Sequence, residues 1–122
     1  YTYSGHPLAA AAGVATLDVY REEGLFDRAR DLEDYFADAV HSMQGEPNVI
    51  DTRAFGFLGA VEFAPIEGQP TARAMQIFRE CFDAGVIVRT TGDTLAFSPP
   101  LIFEKEHIDR TFDTVRKAAA NN

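Results

Sequence analysis

Arg89 is the side chain in this sequence best suited to grip an anion. It ends the apolar run Val86-Ile87-Val88 and precedes Thr90-Thr91-Gly92-Asp93; a second run, Leu95-Ala96-Phe97, then leads into Ser98-Pro99-Pro100-Leu101. Two apolar runs around such a turn read as a β-hairpin, with Gly92 supplying a backbone geometry that side chains resist. A permanently charged, two-pronged donor on a stiff ribbon is a receptor for a carboxylate or phosphate, and a lysine would keep the charge but lose the fork. The plainer reading is a surface arginine paired with Asp93 or Glu62, worth about 0–1 kcal/mol.

Few other residues offer chemistry. His6 precedes a proline and reads as structural, and His41 and His107 lie in helical patterns without partners at metal-ligand spacing, so no metal site is expected. Cys81, the single cysteine, rules out an internal disulfide and falls on an apolar helix face as a buried, inert thiol. The only lysines, Lys105 and Lys117, sit in the last helical segment, and neither looks desolvated enough to be a nucleophile. No dinucleotide fingerprint, Walker sequence, paired-cysteine spacing or nucleophile elbow is present.

At 122 residues the chain can bury a core of its own. Its net charge of −8, spread along the chain, argues against nucleic acid and against anionic membranes as partners. No apolar run is long enough to span a bilayer and no signal segment is seen, and the single cysteine suits a reducing cytoplasm. The first residue is Tyr1, not Met, which suggests a segment of a longer polypeptide.

The positioning elements follow from periodicity. A helix is expected from Leu8 to about Glu23, with Pro7 at its start and Gly24 as its cap. The run Ala9–Ala12 with Gly13 leaves it almost no polar face, so it should pack against something outside this chain. A second helix carries Leu25, Ala29, Leu32, Phe36, Val40 and Met43 at spacings of three and four, with an Arg30–Asp34 pair on its solvated side. Val49–Phe63 reads as two strands whose internal glycines mark a bulge or a close approach. Thr71 is the expected N-cap of a helix over Ala72–Ala84, with Met75, Phe78, Cys81 and Phe82 inward and Gly85 as its cap. After the hairpin, a last helix spans about Glu104–Ala120 with Ile108, Phe112, Val115 and Ala119 inward. The fold class is therefore α+β: a small, largely antiparallel sheet covered by helices, over residues 25–122, with residues 1–24 as a lead-in and connecting helix.

Three segments in this order, Tyr1-Thr2-Tyr3-Ser4-Gly5-His6-Pro7, Arg89 with Thr91-Gly92-Asp93, and Leu95-Ala96-Phe97-Ser98-Pro99-Pro100-Leu101-Ile102, resemble the class III pyridoxal-phosphate (PLP) aminotransferases of the omega-amino-acid:pyruvate type. The resemblance covers essentially the whole chain and corresponds to the C-terminal small domain of fold-type-I PLP enzymes. It implies that Arg89 binds the carboxylate of an amino acid or pyruvate and swings aside for an apolar or amine substrate. It also implies that Thr2, and more weakly the backbone of Tyr1, contact the phosphate of PLP bound in the other subunit of a dimer. A hydroxyl beside free amides suits that task; otherwise Thr2 is simply a residue of β propensity.

PLP chemistry needs a lysine to carry the cofactor and an acid facing its ring nitrogen. The resemblance places both upstream of Tyr1, so no catalytic residue is expected within this chain. The expected parent enzyme moves an amino group from a β-alanine-like or other amine donor to pyruvate, as a homodimer or homotetramer. Alternatives are an aminomutase or decarboxylase of the same class, or a non-catalytic carboxylate-binding α+β module.

Overall fold

A computed structural model describes Thr2 and residues 4–122. The elements run α1 (Pro7–Glu22), α2 (Leu25–Asp31), α3 (Glu33–His41), β1 (Val49–Phe55), β2 (Leu58–Phe63), α4 (Ala72–Asp83), β3 (Arg89–Thr91), β4 (Thr94–Phe97) and α5 (Lys105–Ala120). The four strands form one antiparallel sheet in the order β1-β2-β4-β3, with helices on one face: the expected α+β layer.

The core lies between that face and the helices. Val61, Phe63, Leu95 and Phe97 from the sheet meet Phe36 and Val40 from α3, Ile77 and Cys81 from α4, and Ile108, Phe112 and Val115 from α5. Burying each such side chain stabilises the fold by about 1.5–3 kcal/mol. Gly59 belongs to this contact. A Cβ there would stand 2.6 Å from Cγ2 of Val40 and 3.1 Å from the Phe36 ring, so the glycine lets α3 settle onto β2. The other glycine in that stretch, Gly56, has φ +55 in the β1–β2 turn, and the ladder's irregularity falls instead between Val49 and Asp51.

Two expectations about the helices need correction. The segment Leu25–Met43 is not one helix but two, broken at Leu32, which ends α2 and starts α3. No glycine or proline marks the break. It lets Arg28 on α2 reach the carbonyls of Ile102 and Phe103 and the Glu104 carboxylate at 3.1–3.3 Å, while α3 keeps Phe36 and Val40 on the sheet. On α2, Arg30 pairs with Asp27 at 3.1 Å rather than with Asp34. In α4 the buried stripe is Ala74, Ile77 and Cys81, with Phe78 partly buried; Met75 and Phe82 point outward.

Helix termini follow local chemistry. Pro7 opens α1, and the His6 ring accepts a hydrogen bond from the Ala9 N–H, a capping role. Gly24, at φ +60, lies just past the end of α1. Glu104 and His107 form a reciprocal capping box at the start of α5. α1 buries no residue: Leu8, Val14 and Leu17 are 60–75% exposed, and its neighbour is α2, through an edge-to-face contact of Tyr20 with Phe26 at 5.0 Å.

Candidate functional site

The hairpin forms, but its first strand is Arg89–Thr91 rather than the apolar run before Arg89, and the turn is shorter than the expected Thr-Thr-Gly-Asp. Gly92 and Asp93 make a two-residue turn, with Gly92 at φ +60 and Thr91 opposite Thr94. Strand geometry proper begins only at Arg89, after Val86 and Val88 have buried their side chains and left Ile87 exposed. The turn is tied to the rest of the molecule through Asp93. Its carboxylate accepts a 2.8 Å hydrogen bond from the Thr71 N–H, and its carbonyl accepts one of 2.9 Å from the Phe63 N–H. Thr71 thus stands at the N-cap position of α4 but does not cap it with its side chain; at φ +68 its N–H is turned toward Asp93 instead.

These contacts decide between the two readings of Arg89. Asp93 is engaged by Thr71, and Glu62 accepts from Arg53 at 2.8 Å, with Asp51 as that arginine's second partner. Among the described residues Arg89 forms no ion pair, and it is exposed at the start of the edge strand β3. The surface-pair explanation therefore has no support.

Register places Arg89 directly opposite Ala96, and Ala96 opposite Ala60. Leu95 and Phe97 face the helices, so by alternation Arg89 and Ala96 share the uncovered face of the sheet. A cavity of about 250 Å³ opens where β4 runs out into Ser98-Pro99-Pro100. Phe97 and Phe112 line it from the helix-covered side, Arg89 and Ala96 from the open side. Arg89 is the only charged residue in its lining; Ser98 and Thr111 add hydroxyls, and the remaining wall is apolar. One arginine at the edge of a largely apolar recess suits a ligand with one carboxylate and a short apolar body, since a second carboxylate would be desolvated without a cation beside it.

The other expected site residues lie elsewhere. Thr2 is exposed in a turn before α1 and does not line the Arg89 cavity, and Tyr1 lies outside the described residues. Thr2 carries an exposed hydroxyl of the kind that can donate to a phosphate oxygen. That is the extent of the fit to PLP, because the cavity has neither a lysine nor an acid in its wall. Lys105 is exposed, its Nζ 4.7 Å from the centre of the Tyr35 ring, and Lys117 is exposed on α5. Glu104, Glu106 and His107 approach one another on the surface, where Glu104 and His107 serve the capping box and Glu104 holds Arg28. His41 hydrogen-bonds Thr52 at 3.0 Å. Cys81 is wholly buried, and loss of solvent with Glu80 beside it pushes its thiol up to about 11, so it is not a nucleophile.

Ala96 and Ser98 were not anticipated as cavity residues, although alternation along the second run of the hairpin does place Ala96 on the face of Arg89. Thr111 and Phe112 reach the cavity from α5, a contact for which the sequence carries no local signal.

Comparison with known proteins agrees with this architecture. The chain is 55% identical over 117 residues to an omega-aminotransferase of Caulobacter vibrioides, covering 96% of this chain and 27% of that protein. It is 42% identical over 118 residues to a beta-alanine–pyruvate aminotransferase of Pseudomonas aeruginosa, covering 97% and 26%. A transaminase solved with L-Ala superposes with a TM-score of 0.90 at 30% identity, over 99% of this chain and 30% of its own. The chain thus spans about a quarter of the length of the curated relatives it matches. The model of the aminotransferase class-III family matches residues 1–119, and the chain belongs to that family.

Proposed function

We propose that this chain is the substrate-recognising C-terminal part of a PLP-dependent transaminase that passes an amino group from a β-alanine-like or other amine donor to pyruvate. The observation that carries the reading is Arg89: an exposed arginine without an ion-pair partner among the described residues, alone in charge on the wall of a largely apolar cavity. In this role it holds the acceptor's carboxylate with a forked, charge-assisted pair of hydrogen bonds and so orients the keto carbon. The apolar wall keeps water from that ion pair and receives the methyl end of a small keto acid. The names of the relatives, an omega-aminotransferase and a beta-alanine–pyruvate aminotransferase, support the choice of donor and acceptor classes.

PLP, when bound, acts as the electron sink and carrier of the amino group. From this chain Thr2 would donate its hydroxyl, and Tyr1 more weakly its backbone N–H, to the phosphate in the cofactor site of a second subunit. The enzyme is then a homodimer, or a tetramer built from dimers, and acts in the cytoplasm. The missing lysine and ring-facing acid belong to the remaining three quarters of the polypeptide. The names of the relatives, all aminotransferases, favour transamination over an aminomutase or decarboxylase of the same class.

The test is an absorbance titration of the complete protein. Adding β-alanine should bleach the bound cofactor's visible band, and adding pyruvate should restore it. A band that β-alanine leaves unchanged, or that pyruvate does not bring back, rejects the transaminase reading.

A further inference from the structure

We infer that Ala96 is a specificity-determining residue: its methyl-sized side chain beside Arg89 sets how large an apolar tail the bound carboxylate can carry. The inference rests on the carboxylate-binding reading of Arg89 and concerns a residue to which that reading gives no role. Register pairs the two residues directly across the β3–β4 ladder, which puts their Cβ atoms about 5 Å apart on the same sheet face. Both line the same cavity, so a ligand whose carboxylate meets the guanidinium extends its apolar tail past position 96.

Alternatives for sensing the tail are poorer. Val88, Phe97, Ile108 and Phe112 are buried in the core, and altering them would disturb packing before it altered selectivity. Pro99 fixes the backbone of the exit segment. Ala96 is half-buried, has no polar contact to lose, and occupies a strand position where a larger side chain is compatible with β structure. Size at this position can therefore change while the strand is kept. Alanine leaves the space open to a tail of several carbons; the three extra carbons of leucine would narrow it where the tail passes, at greater cost to a long tail than to a short one.

The experiment is calorimetric titration of the complete, cofactor-loaded protein with two carboxylates that cannot react, propanoate and hexanoate. In Ala96→Leu, hexanoate should bind at least tenfold more weakly than in the unaltered protein, and propanoate less than threefold more weakly. Ala96→Val should fall between, and it provides the same comparison should the leucine variant fail to fold. Steady-state kinetics should agree, with the KM for a long-chain keto acid rising and that for pyruvate nearly constant. Equal losses for both carboxylates, or no loss for either, overturn the role of Ala96. Arg89→Ala separates the two claims. If it leaves propanoate binding unchanged, the carboxylate reading itself fails; if it abolishes that binding while Ala96→Leu shows no preference, only the inference about Ala96 fails.

Discussion

An arginine already bound to two carboxylates, as Arg53 is to Asp51 and Glu62, has little left to offer a ligand. Arg89 differs because nearby acids are committed elsewhere: Asp93 to the backbone of Thr71, Glu62 to Arg53. Cys81 shows the opposite use of a polar atom, a thiol held neutral by burial. Its ionisation is displaced from 9.0 to about 11, which has a sign. Between those values the unfolded thiol loses its proton and the folded one keeps it, so stability falls as pH rises through that window. Urea unfolding at pH 8 and pH 10.5 should show a larger loss in the unaltered protein than in Cys81→Ala. Native protein at pH 8 should also react with a thiol reagent only as fast as it unfolds; rapid labelling would contradict the burial.

Among the elements, the approach of α3 to β2 depends on an absent side chain. In Gly59→Ala the new methyl would meet Cγ2 of Val40, a branched side chain with few alternative positions. A destabilisation of about 1–3 kcal/mol is expected. In a Val40→Ala background the nearer clash is gone and only the Phe36 ring contact remains, so the double variant should be more stable than the sum of the two single losses predicts. Additive losses in a denaturation cycle would mean that the contact is not what the glycine serves. The hairpin and α5 were legible in the sequence because each carries its own signal, a Gly-Asp turn in one and an acidic start with a clean apolar stripe in the other. The break at Leu32 was not, since no glycine or proline marks it and the contact it permits, Arg28 on the chain before α5, is far away in sequence. The phase of α4 also departs from the local pattern: Ala74 and Ile77 are buried, and the larger Met75 and Phe82 beside them draw the expected stripe one position round. Arg89 could be named from its residue type and place in the hairpin, but the cavity beside it needs α5, which no local pattern connects to β4.

At the scale of the whole molecule, α1 is the outlier. A sixteen-residue helix with no buried side chain has little tertiary support, and a helix of that length is marginal on its own in water. If it docks on the remaining polypeptide, hydrogen exchange should be slow along α1 in the complete protein. In the 122-residue chain alone the same amides should exchange nearly as fast as in an unfolded peptide, while β2 and α5 stay protected. Slow exchange of α1 in the isolated chain would show that its contact with α2 suffices.

These scales meet in one guanidinium, oriented by a hairpin that Asp93 ties down and presented at a cavity that α5 helps to close. The most direct measurement is the steady-state kinetics of Arg89→Ala in the complete protein, with pyruvate as acceptor and an amine lacking a carboxylate as donor. The KM for pyruvate should rise at least tenfold while the KM for the amine changes less than threefold. Equal changes for both substrates, or an unchanged KM for pyruvate, would contradict the carboxylate-binding role of Arg89.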